Sequence, residues 1–180
     1  MGAKGVGTTI ARVILHVAAF DELSTGTLYA LLRLRVDVFV VEQRCPYPEL
    51  DGRDAQPGTR HVWLASEDGT EDGTPLAYLR ILDEPGGAAR IGRVCVSRAA
   101  RGAGLAARLM RATLDLLGTR PSVLDAQTYL ADFYAGLGYE KAGPEFVEDG
   151  IPHTPMTRPG SAQGSVAQGS VATSSAIDRR

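Results

Sequence analysis

The stretch that most constrains this chain is residues 91–110, IGRVCVSRAARGAGLAARLM. Val94, Cys95 and Val96 are the β-rich end of a strand. Ser97 to Arg101 form a short basic turn, and Arg101-Gly102-Ala103-Gly104-Leu105-Ala106 a glycine-rich corner. Leu105, Leu109 and Ala112 then recur at helical spacing. Glycines let the backbone turn sharply and approach a ligand closely. The first amides of the following helix have no partner within it and point out of its positive end, which suits an anion. Arg98, Arg101 and Arg108 add positive charge around the same place. The pattern suggests a phosphate-bearing ligand; the plainer alternative is a tight strand-to-helix turn with solvated arginines.

One ligand family with such a corner is the dinucleotides. Gly102-x-Gly104-x-x-Ala107 fits their fingerprint formally, and Asp125 ends the next strand about 20 residues on. Against this, Ser97 to Arg101 separate the glycines from the strand, an arginine precedes the first glycine, and too little chain follows Asp125 to complete a doubly wound sheet.

The rest of the chain frames this corner. Its 180 residues suffice for one domain with a core and a tail. Val13, Leu15 and Val17 alternate as a first strand over 12–17, and Thr25 or Thr27 is placed to cap a helix running to about Gln43. Residues 44–58 form a long loop in which Glu49, Asp51 and Asp54 join Glu42. Such acids either attract a cationic amine or form a solvated face. Strands follow over 61–66, 76–82 and 89–96, the first two joined by a hairpin connection over 67–74. Short turns make these three antiparallel. A strand over 122–126, entered by a helix crossover, is parallel to its neighbour. A short helix over 129–137 and strands from Tyr139 and over 145–158 close the sheet. The expected class is α/β (α+β), a mixed and mostly antiparallel sheet with helices on both faces. Residues 1–9 read as a flexible N-terminus, 10–158 as the domain, and 159–180, with QGSVA twice in tandem, as a disordered low-complexity tail.

Composition limits the partners. A net charge of −2 supplies no field toward nucleic acid or anionic lipid, and no apolar run approaches membrane-spanning length. The two cysteines, Cys45 and Cys95, lack metal or disulfide spacing, so no metal is expected, and a cytoplasmic setting is. No Cys-His-Asn set supports Cys45 as a nucleophile. Oligomeric state is open between monomer and homodimer.

The chain resembles the GNAT superfamily of N-acetyltransferases. Arg101-Gly102-Ala103-Gly104-Leu105-Ala106 matches the fixed positions of the family's Arg/Gln-x-x-Gly-x-Gly/Ala motif. An ordered set across residues 13–157 looks like the ElaA-like branch: Val38-Phe39-Val40-Val41-Glu42-Gln43, Cys45-Pro46-Tyr47, Gly92-Arg93-Val94, Phe133-Tyr134 and Glu148-Asp149-Gly150-Ile151-Pro152-His153. The resemblance implies a sheet splayed at its central parallel pair, with acetyl-CoA as co-substrate. It would be held along Val94, Cys95 and Val96, on the corner from Arg101 to Ala106, and by Gln127. The acceptor would be an amine of a small molecule or peptide.

On this reading the amine attacks the thioester directly. A backbone amide near Val96 meets the developing oxyanion. Tyr134, where the family carries its leaving-group acid, protonates the thiolate; otherwise it is a core aromatic. Many family members carry Glu where this chain has Arg90, so the base must lie elsewhere. Glu42 and His61 are the candidates, acting directly or through water, although a strand histidine also serves structure. Arg93, which shares a strand face with Cys95, and His153 are candidate acceptor-binding residues. The alternative is a non-catalytic acyl-CoA-binding module of the same fold.

Overall fold

The computed structural model describes residues 12–67 and 73–160. The expectations for residues 1–9, for 68–72 of the first hairpin connection and for 161–180 of the tail lie outside them. Strand β1 (Val13–Ala18) pairs antiparallel with β2 (Arg60–Ser66); β2 pairs so with β3 (Thr74–Asp83), and β3 with β4 (Ala89–Val96), as the short connections among these last three require. Helix α1 (Thr25–Val36) lies between β1 and β2 in sequence. Helix α2 (Leu105–Leu117) carries the chain across the sheet, so β5 (Ser122–Gln127) enters parallel to β4. The short helix α3 (Ala131–Ala135) follows. Strands β6 (Glu140–Lys141) and β7 (Phe146–Glu148) both pair with β8 (Ile151–Arg158), which runs antiparallel to β5. This mixed sheet is the expected class and is incompatible with a doubly wound dinucleotide fold.

Parallel pairing between β4 and β5 is limited to Ala89 with Ser122 and Arg90 with Val123. From Ile91 onward the strands part, which is the splay that the resemblance implied.

Apolar alternation gives each face its helix. Leu105, Leu109, Met110 and Leu114 of α2 pack on Leu64, Leu79, Ile91 and Leu124. Leu31 and Leu34 of α1, with Val38, pack on Trp63, Tyr78 and Cys95 of the other face. Covering both faces explains why five successive residues of β2 are buried.

Three local features differ from expectation. Ser24 caps α1, its Oγ accepting from the Thr27 amide at 3.1 Å, in place of Thr25 or Thr27. The β-branched run 38–41 lies in a π-helical turn, Asp37–Glu42, that continues α1. The segment 145–158 is a hairpin, turning at Asp149 (φ 48°) and Gly150 (φ 80°), a sequence suited to a tight two-residue turn.

A bulge interrupts β4. Tyr78 pairs with Cys95 and Arg80 with Gly92, leaving Leu79 opposite both Arg93 and Val94, with Arg93 in the left-handed region (φ 56°). The extra residue switches the faces: Ala89 and Ile91 point to the α2 side before it, Val94 and Val96 after it. Cys95 packs in the α1-side core and Arg93 turns to Glu49, so Arg93 and Cys95 share a face as expected.

The acids of loop 44–58 face inward. Arg35 of α1 holds both carboxylate oxygens of Glu49 at 2.9 Å and Asp54 Oδ1 at 2.7 Å. Arg80 of β3 holds Asp51 at 2.7 and 2.6 Å and Asp54 at 2.9 Å. Arg93 joins Glu49 at 2.9 Å. Three arginines against three carboxylates balance, with Arg35, Arg80, Glu49 and Asp54 buried and Arg93 and Asp51 at the cluster's outer edge, and they fix the loop to the sheet. The alternative that these acids attract a cationic amine is corrected for Glu49, Asp51 and Asp54, whose charges are already met.

Burial pushes the Asp51 carboxyl up, but hydrogen bonds from Arg80 and the Arg53 amide outweigh it and hold it below the usual range. Burial opposes Asp54 likewise, and Arg35 and Arg80 hold it low. Their stabilisation is complete above the unfolded carboxylate pKa of about 4 and is lost as pH falls through the folded values. Urea unfolding should therefore show this carboxylate contribution falling away below about pH 4, after an earlier decline below about pH 6.5 from His61, whose burial disfavours its charged form. At neutral pH, Arg35→Met should cost about 3–5 kcal/mol, because it leaves buried carboxylates without their main countercharge.

Candidate active site

The splay exposes one edge of β4. Val96 stands opposite Ala77, and the Ser97 amide donates to the Leu76 carbonyl at 2.8 Å. Antiparallel alternation then turns the Val96 N–H and C=O away from β3, toward the gap before β5. The Val96 carbonyl indeed accepts from Arg101 Nε at 3.2 Å. A cleft of about 1250 Å³ opens here and reaches Val94, Cys95, Gln127 and Tyr134.

The glycine corner closes one part of the cleft. Gly102 (φ 80°) and Gly104 (φ 71°) adopt left-handed backbone, which costs another residue roughly 1–2 kcal/mol. A Cβ at either would meet no atom within 4 Å, so conformation and not crowding selects glycine. Gly104 is the N-cap of α2 and offers no side chain to the first-turn amides, which leaves them for an anion. Gly102, Gly104, Leu105 and Ala106 line the cleft; Ala103 does not.

The corner's arginines are partly committed. Arg108 reaches the Val13 carbonyl at 2.7 Å. Arg101 grips Glu42 with two hydrogen bonds, at 2.5 and 2.9 Å. The Arg101 hydrogen bond and charge hold the Glu42 carboxyl below its usual value, with Arg98 adding to the effect. Glu42 lines the cleft, but this pairing makes it a weak proton acceptor as it stands.

Tyr134 comes to the cleft from α3, at the far end of the splayed β5. Phe133 and Tyr139 pack edge-on against it, at 5.0 and 6.1 Å between ring centroids, and Tyr139 is fixed through its hydroxyl to Ser122 Oγ at 2.7 Å. Burial, and then Tyr139 and Tyr129, push the Tyr134 phenol well above 10, so it stays protonated at neutral pH.

Gln127 faces Gln43 across the cleft, their amides 3.3 and 3.5 Å apart, and accepts from the Tyr129 hydroxyl at 2.8 Å. Arg93 lines the cleft while anchored to Glu49. His153 also lines it, its Nδ1–H donating to the Ile151 carbonyl at 2.8 Å. Arg90 spans the point where the strands part, binding Glu84 and Asp125, the latter at 2.6 Å.

His61 is elsewhere. It is 1% exposed under α1, its Nε2–H donating to the Asp54 carbonyl at 3.2 Å and its Nδ1 accepting from the Tyr78 hydroxyl at 2.8 Å. Burial lowers its pKa and keeps it neutral. With both nitrogens committed and no face on the cleft, it is not brought together with Tyr134. Sequence reasoning missed Gln43 and Phe39, which the π turn carries to the cleft; their helical spacing gave no sign of it.

The chain matches the model of the acetyltransferase (GNAT) domain over residues 37–158. It is 52% identical over 145 residues to a UPF0039 protein of Mycobacterium tuberculosis, covering 79% of this chain and 90% of that protein. It is 42% identical over 144 residues to Protein ElaA of Escherichia coli, covering 77% of this chain and 91% of the relative. Among solved structures, an acyl-CoA N-acyltransferase from Pseudomonas aeruginosa superposes with a TM-score of 0.75 at 40% identity, covering 82% of this chain and 99% of that one.

Replacing His61 with alanine should cost about 1–3 kcal/mol in urea unfolding by orphaning its buried partners, and leave ligand affinity at the cleft within about twofold.

Proposed function

The chain belongs to the acetyltransferase (GNAT) family, and from that premise we propose that it moves the acetyl group of acetyl-CoA directly onto an amine of a small molecule or peptide. One observation carries the reading: a single cleft joins the unpaired Val96 edge, the open amides of α2 and the protonated Tyr134.

The residues present fit acetyl-CoA. The α2 amides after Gly104 would hold its pyrophosphate. The free edge of β4 and Gln127 would hold the pantetheine arm. The thioester supplies an activated carbonyl carbon and a thiolate leaving group.

The chain's own groups do the rest. The Val96 N–H donates to the carbonyl oxygen as it gains charge. The amine nitrogen bonds to the carbonyl carbon and the C–S bond breaks. The Tyr134 hydroxyl gives its proton to the departing sulfur; burial keeps it protonated at neutral pH until the thiolate forms. The acceptor nitrogen sheds one proton before attack and one after it; Glu42, the cleft carboxylate tied to the glycine corner through Arg101, takes the first. His61 we assign to structure, since it fixes Asp54 and Tyr78.

Thermal unfolding should show a rise of several degrees with acetyl-CoA or CoA and none with NADH at matched excess. With spermidine and a lysine peptide as acceptors, thiol release should fall about 10²-fold or more in Tyr134→Phe, while CoA affinity stays within about twofold. CoA binding with no thiol release would favour a non-catalytic acyl-CoA-binding module.

A further inference from the structure

Arg101 occupies places that a bound ligand would need. Its Nε takes the Val96 carbonyl, part of the β4 edge that the splay leaves open. Its two terminal nitrogens take Glu42. Both contacts lie in the corner whose α2 amides are open to an anion. Resting on the acyl-CoA reading, we propose that Arg101 is a positioning residue acting as a latch, which holds Glu42 until CoA binds and then releases it for the acceptor amine.

The chemistry favours exchange. A guanidinium binds carboxylate and phosphate with the same two-pronged geometry. Pyrophosphate brings more negative charge than one carboxylate, and the helix end already favours it there. The pair is only part-covered, with side-chain exposures of 41% and 37%, so little holds it together; an exposed pair shifts an equilibrium by no more than about fivefold. A pantetheine amide pairing with the β4 edge also needs the Val96 carbonyl that Arg101 occupies.

Five other acids line the cleft, none at this corner: Glu148 and Asp149 stand at the β7–β8 turn, and the other three are held by arginines. Asp51 is held by Arg80 and Arg93, and Glu84 and Asp125 by Arg90. Glu42 is different because its partner sits at the ligand corner, with Arg98 the other charge acting on it. It closes the π turn, a helical form that recurs at functional sites.

The latch orders the reaction. With Arg101 drawn to the pyrophosphate, a Glu42 oxygen takes a proton from the acceptor's ammonium and leaves a neutral amine. Its nitrogen forms the C–N bond as the C–S bond breaks and sulfur takes the Tyr134 proton. The acylated nitrogen gives its second proton to solvent and becomes a neutral amide, while solvent carries the proton from Glu42 back to the Tyr134 phenolate.

Calorimetric titration of CoA into the wild type, Glu42→Gln, Arg101→Gln and the double variant tests this. Glu42→Gln should tighten CoA about twofold to fivefold by freeing Arg101, and Arg101→Gln should weaken it. In the Arg101→Gln background, Glu42→Gln should have no effect. With glutamate carboxyls labelled with carbon-13, the Glu42 signal should move on CoA saturation in the wild type and stay still in Arg101→Gln. Unchanged or weaker CoA binding in Glu42→Gln, or a Glu42 signal indifferent to CoA, overturns the latch and leaves the acyl-CoA reading standing. A wild type that does not bind CoA overturns both.

Discussion

Two parallel residue pairs, Ala89 with Ser122 and Arg90 with Val123, join β4 to β5. Everything that makes a site here follows from how soon that pairing stops. Beyond it, β4 keeps one satisfied edge against β3 and one free edge toward a cleft. An unsatisfied strand edge is normally a liability; on the proposed reading, this one is a template for a ligand with amides of its own. The same parting lets α3 bring Tyr134 to the gap.

Holding strands apart requires support from outside the pair. On one face α2 packs across β2, β3 and β4, and its N-terminus meets the end of the free edge. On the other, Arg35, Arg80 and Arg93 draw the loop 44–58 down through Glu49, Asp51 and Asp54. The bulge at Arg93 serves both tasks: it turns Arg93 to Glu49 and sets the later residues of β4 in the phase that places Val96 as it is. A buried cluster of this kind is a weak source of net stability, but removing one member leaves a charge stranded. Its effect is to fix one position for the loop beside the cleft.

The sequence was most readable where the physics is local. The strand over 89–96, the glycine corner, α2 and the antiparallel order of the early strands follow from alternation, glycine and short connections. The long-range pairings were not readable. Arg35 sits among helical polar positions and looks solvated, yet it is wholly buried because acids 14 and 19 residues away fold onto it. His61 has the right side chain for a base, but β2 places it under α1. Nothing local in Val38 to Val41 marks a π turn, and nothing in Gly92-Arg93-Val94 announces the bulge. For the same reason Glu42 could be named as a candidate while its bond to Arg101 could not.

On the proposed reading, the free edge of β4 and the start of α2 together receive acyl-CoA. The most direct test follows the backbone amide signals of nitrogen-15-labelled protein during addition of CoA. The account predicts the largest shifts at Val96, Gly104, Leu105 and Ala106, with little change at His61 under α1. Saturable CoA binding that leaves those four amides unmoved, or the absence of binding, would contradict it.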